Sequence, residues 1–146
     1  MKLFFSRLLV AAALLVVGSC AMAQEGSSAD ELIRTSLEGL RQIDEDRTGE
    51  LWNAASAFVK NKFSEAEFVD SVRRSRQIVG AVVQRNWASV TRIRYLDDSA
   101  GIPPGLYANV DFATRVSNDK TVFEKVSFRL EPSGWRLTGY VSRETQ

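Results

Sequence analysis

Histidine is missing from all 146 residues, and the single cysteine, Cys20, lies near the start of the chain. Without an imidazole there is no Ser-His-Asp or Cys-His relay, no His-ligated metal and no His-based pH sensor. One cysteine allows no internal disulfide and no thiolate-rich metal site. No G-x-S-x-G, G-x-G-x-x-G or phosphate-cradling loop occurs, so neither a cofactor nor a metal is expected. A basic run is absent as well, since 19 Lys and Arg stand against 18 Asp and Glu for a formal charge of +1. Such a chain offers no electrostatic footprint for a polyphosphate backbone, which argues against nucleic acid as a partner. What remains is ordinary for one globular domain, with 45% hydrophobic and 25% charged residues and no internal repeat.

Residues 1–23 read as an export leader. Lys2 and Arg7 form a positive start, and Leu8 to Val17 an apolar stretch too short for a bilayer, which needs about 20 residues. Ala21-Met22-Ala23 is a cleavage pattern before Gln24. Val17-Gly18-Ser19-Cys20 offers a second route, because it resembles a bacterial lipobox in which Cys20 is acylated and becomes the new N-terminus. The expected location is the periplasm after cleavage behind Ala23, with an outer-membrane lipoprotein as the alternative. A membrane partner is expected only if Cys20 is lipidated. Cleavage leaves 17 basic and 18 acidic residues, a net charge of −1. Residues 24–29 are a polar lead-in, and 30–146 are expected to form a single domain.

Helical spacing opens that domain. From Asp30, apolar residues recur at Ile33, Leu37, Leu40 and Ile43. Asp44 to Gly49 predicts a tight connection, followed by a second helix carrying Leu51, Ala55, Phe58 and Val59. Ser64-Glu65-Ala66-Glu67 is a capping box, so a third helix is expected to start near Glu65 and reach about Gly80 or beyond. Its apolar stripe is Phe68, Val72, Val79 and Val83.

Beyond Asn86 the period changes to two. Leu106, Ala108, Val110, Phe112, Thr114 and Val116 share one strand face, and Val122, Glu124, Val126, Phe128 and Leu130 share another. Asn118-Asp119 and Pro132-Ser133-Gly134 are turn sequences. A last strand is expected from Trp135 to Ser142, and a first, less regular one from about Ala88 to Leu96. The predicted fold is α+β, with N-terminal helices packed on a curled four-stranded antiparallel sheet, of the nuclear-transport-factor-2-like or cystatin-like form. Such a sheet leaves a concave pocket between the layers. A β-sandwich is the alternative, against which the helical first half argues.

Glu124 falls on the apolar face of its strand, and Arg76 at the edge of the third helix's valine stripe. A buried carboxylate needs a cation, so the two are expected to pair, with Arg85 able to serve in either role. Arg76, Arg85 and Glu124 are therefore the candidate pocket residues, either as a conformation-fixing ion pair or with Arg76 holding an anionic ligand. Asp97-Asp98 reads as a solvated turn. Trp52, Trp87, Phe112 and Phe128 are read as core. Strict alternation puts Trp135 and Tyr140 on opposite faces, and Gly139 with Trp135, Leu137 and Val141, where it makes room for an aromatic from the helices. Tyr107 points away from Leu106, toward the outer sheet face or a dimer contact.

Five segments carry a family resemblance: Trp52 to Ser56, Arg76 to Gly80 with Arg85 beyond, Pro103 to Tyr107, Phe123 to Val126, and Trp135 to Tyr140. Over about Ile43 to Tyr140 the chain resembles the bacterial domain-of-unknown-function family 4019. The resemblance implies a small exported α+β domain and supplies no activity. Its residues Trp52, Gly80, Pro104, Gly105, Tyr107, Trp135, Gly139 and Tyr140 are read as structural.

The expected function is a non-catalytic exported domain that binds a protein, a peptide or a small apolar ligand. The alternatives are a pocket enzyme using carboxylates and tyrosines, and an envelope module that dimerises through the polar face of its sheet. A homodimer is among the possible partners.

Overall fold

A computed structural model describes residues 28–145. The leader, Cys20 and most of the polar lead-in lie outside the described residues. Four helices come first: α1 (Ala29–Asp44), α2 (Thr48–Ala54), α3 (Ala57–Lys62) and α4 (Glu65–Arg76). Four strands follow: β1 (Val82–Tyr95), β2 (Gly105–Val116), β3 (Thr121–Glu131) and β4 (Gly134–Arg143). They pair antiparallel in chain order as one curled sheet, the α+β arrangement expected and one compatible with a nuclear-transport-factor-2-like or cystatin-like fold.

Helix α1 starts at Ser28, whose hydroxyl accepts from the Asp30 N–H. Its buried face is Leu32, Ser36, Gly39, Leu40 and Ile43. That face is rotated from the expected stripe, so Leu37 is left 43% exposed. Small residues at 36 and 39 let the helix approach closely, and Ser36 satisfies its hydroxyl by donating to the Leu32 carbonyl at 2.7 Å. The single second helix expected is two, because Ala55 and Ser56 turn extended. Ala55 forms a parallel bridge to Leu137, and the Ser56 N–H donates to the Leu137 carbonyl at 2.8 Å. This short segment shields the open edge of β4. The capping box at Ser64 and Glu67 forms in full and starts α4. The helix ends at Arg76, before Gly80, and Val83 belongs to β1.

One face of the sheet builds the core. Ala108, Val110, Phe112, Val126, Phe128, Trp135, Leu137 and Tyr140 pack with Leu32, Leu40, Ile43, Leu51, Val59, Phe68 and Val72 from the helices. Trp52 packs on Phe68 at 5.6 Å between ring centroids, with the Lys60 ammonium 5.8 Å above its ring. Trp87 is not core: it is 58% exposed on the edge strand β1, beside α1.

Three register shifts decide which side chains face the helices. In β1 they fall at Val83 and Ala88, and in β4 at Thr138. Phe128 opposes Leu137 while Ser127 opposes Gly139, so Thr138 is an inserted residue, a β-bulge. The insertion puts Trp135, Leu137 and Tyr140 on one face, correcting the expectation that Trp135 and Tyr140 part. Gly139 and Val141 turn to the other face, opposite Ser127 and Lys125.

Candidate functional site

Glu124 is 1% exposed at the centre of the sheet. Its partner is Arg85 rather than Arg76. Arg85 Nε donates to Oε2 at 2.7 Å and Nη2 to Oε1 at 3.2 Å. The Thr114 hydroxyl donates to Oε2, and the Tyr140 hydroxyl to Oε1 at 2.7 Å. Those four donors fill the roughly four acceptor sites of an ionised carboxylate. Strand pairing explains the choice: Arg85 lies opposite Thr114 on the core side of the sheet, next to the β2–β3 pair that holds Glu124.

Arg76 stands at the outer end of the same network. Asp44, the last residue of α1, accepts from Arg85 Nη1, from Arg85 Nη2 at 3.0 Å and from Arg76 Nε at 3.1 Å. Arg76 Nη1 also donates to the Val79 carbonyl and, at 3.4 Å, to that of Gly80. Side-chain exposure rises along the series, from 0% at Glu124 to 11% at Arg85 and 27% at Asp44. Two carboxylates and two guanidinium groups make it neutral. The network ties the ends of α1 and α4 to all four strands. With every hydrogen-bonding site on Glu124 occupied, this carboxylate is built as a clamp.

The clamp also sets the ionisation of two members. Burial works against the Arg85 charge, but the hydrogen bonds it donates to Asp44 and Glu124 outweigh it and raise its pKa. Burial, followed by the Glu124 charge, pushes the Tyr140 phenol well above its ordinary value. The unfolded chain loses that proton at about pH 10 while the folded chain keeps it, so this contribution to stability is constant below pH 10 and declines above it. Urea unfolding of wild type and Tyr140→Phe between about pH 8 and about pH 11 checks this. The wild-type advantage should be flat to about pH 9 and shrink beyond about pH 10. Parallel profiles would contradict it.

A cavity of about 650 Å³ lies elsewhere. Its walls are Phe58 and Phe63 at the two ends of α3, Phe68 and Val72 of α4, Ile102 of the β1–β2 connection, and Ile93, Tyr95 and Tyr107 of the sheet. Asn109, Ser127 and Gly139, successive neighbours across β2, β3 and β4, line it from the face opposite the core. Polar residues make up about a third of the lining, and Ser127 donates to Asn109 Oδ1 at 2.7 Å. An ideal Cβ at Gly139 would meet nothing within 4 Å, so the missing side chain leaves cavity space and no helix aromatic fills it. Tyr140 belongs to both places, as a residue of the cavity lining whose hydroxyl donates to Glu124. Arg76, Arg85 and Glu124 do not line the cavity.

The Pro103-to-Tyr107 segment fixes one wall. The Tyr107 hydroxyl donates to the Pro103 carbonyl at 2.8 Å, and its ring meets Tyr95 edge-on at 5.3 Å. Arg129 stacks 5.9 Å from the Tyr107 ring and donates to the Pro104 carbonyl at 3.0 Å. Gly105 sits at φ +155°, where a side chain would be strained and its Cβ would come within 3.3 Å of Arg129 Nε. Tyr107 therefore lies on the outer sheet face, as expected, but within the cavity wall. Among the described residues no group of three or more acidic side chains could hold a metal ion.

Residues 35–140 match the model of a family described as "Protein of unknown function (DUF4019)". No curated protein matches the chain. No solved structure matches it either.

Proposed function

The chain belongs to the family of proteins of unknown function (DUF4019), and for it we propose an exported, non-catalytic module that binds a small apolar ligand. The observation that carries this reading is the cavity beside Gly139. At about 650 Å³ it falls within the 300–1,000 Å³ common for small-molecule sites, and its walls are mainly aromatic and aliphatic. Support against catalysis comes from Glu124. A general base needs a free lone pair facing its substrate, and this carboxylate has given its own to Arg85, Thr114 and Tyr140. Export is supported by the leader-like residues 1–23, which lie outside the described residues. Among the described residues no helix is long and apolar enough to cross a membrane.

Gly139→Phe tests the site. The new Cβ meets nothing within 4 Å, the ring has the open cavity to enter, and a good strand former replaces glycine in a strand, so the fold should keep its stability. Titration with the uncharged dye Nile red should saturate one site on the wild type. The variant should bind at least tenfold more weakly at an unchanged urea midpoint. Equal binding by the two proteins would remove the cavity from the account.

A further inference from the structure

Around the Gly139 cavity the carboxylates are engaged and two cations are not. Glu67, which lines it, accepts from the N–H and the hydroxyl of Ser64, both at 2.8 Å. Asp98, on the connection that carries Ile102, accepts from the Gly101 N–H at 3.2 Å. Arg74 is in the lining and exposed, and among the described residues its guanidinium has no ion-pair partner. Lys62 has none either; its ammonium lies 5.7 Å from the Phe58 ring and 5.9 Å from the Phe63 ring, both of them cavity walls. The other arginines on α4 differ, for Arg73 pairs with Asp46 and Arg76 with Asp44.

We propose that the cavity takes an anionic amphiphile, a monocarboxylate whose aliphatic chain lies on the aromatic walls and whose head is held at the rim by Arg74. The inference rests on the cavity being the ligand site and adds the class of ligand. A guanidinium presents a planar fork that matches a carboxylate with two parallel hydrogen bonds, and it is weakly hydrated beside apolar surface. Lys62 adds to the positive field without that geometry. A cation at the lip of an apolar cavity attracts an anionic head while the interior rejects it, which orients the ligand head-out.

Calorimetric titration of the purified protein with dodecanoate, dodecanol and dodecyltrimethylammonium, each below its micelle concentration, tests this. Dodecanoate should bind at least tenfold more tightly than dodecanol, and the quaternary ammonium more weakly than either. Added salt should weaken only the dodecanoate complex. Arg74→Gln should bring dodecanoate down to the dodecanol level and leave dodecanol unchanged, whereas Lys62→Gln should cost a smaller factor. Vesicles of an anionic phospholipid distinguish a free carboxylate from a lipid surface, and the protein should not sediment with them. Equal affinity for dodecanoate and dodecanol, an unchanged preference in Arg74→Gln, or vesicle binding abolished by that variant would overturn the proposal. Failure of the cavity reading shows differently, as dodecanol binding that survives Gly139→Phe.

Discussion

Arg85→Met should destabilise the protein by about 3–5 kcal/mol, because it strands the buried Glu124 carboxylate without a cation. Two of the four donors to Glu124 disappear with the guanidinium, and Asp44 keeps only Arg76. Arg85→Met combined with Glu124→Leu should recover much of the loss, since the double variant buries no charge. Arg76→Met should cost about 1 kcal/mol or less, as befits a pair at the partly exposed end of the network. Urea midpoints of wild type, Arg85→Met, Glu124→Leu, their double variant and Arg76→Met measure all of this. Additive costs for Arg85 and Glu124, or an Arg76 variant as damaged as the Arg85 one, would show that the pairing is otherwise.

Deleting Ser127 from β3 should be at least as severe, at about 4 kcal/mol or more. β3 has no inserted residue to absorb the loss, so alternation breaks at the gap and either Phe128 or Val126 and Glu124 must leave the core face. The core then loses a large side chain, or Glu124 loses the Tyr140 hydroxyl. Deleting Thr138 should be far milder, at about 1 kcal/mol or less, because Leu137 and Gly139 already oppose the consecutive residues Phe128 and Ser127 and alternation across the closed gap keeps Tyr140 inward. Circular dichroism and urea unfolding compare the two. A Thr138 deletion as damaging as the Ser127 one would mean that Thr138 is not the inserted residue of β4.

These two positions mark where the sequence is readable and where it is not. Alternation in β2 and β3 has no interruption, so their faces, their hairpin turns and the burial of Glu124 follow from counting by twos. The capping box is equally local, needing only Ser64 and Glu67 three residues apart. Bulges leave no such mark. Val83, Ala88 and Thr138 are ordinary strand residues, yet each inserts one position, which hides the start of β1 and reverses the end of β4. The Arg76–Glu124 expectation failed for the same reason. Both residues do join one network, but the sheet register brings Arg85 to the carboxylate and leaves Arg76 on Asp44. Asp44 looked like part of a connection; as the last residue of α1 it is the link between the two arginines. The cavity was the least legible, because its lining is drawn from α3, α4, a proline-bearing connection and all four strands. Gly139 was the one local sign, a glycine within an otherwise bulky strand.

The binding account is tested most directly by mapping backbone amide shifts on the isotope-labelled protein during titration with dodecanol. Saturating shifts are expected at Gly139, Ser127 and Asn109, with neighbours on α3, and little change around the Glu124 clamp. Shifts gathered instead at the groove between α1 and Trp87, or none that saturate, would contradict it.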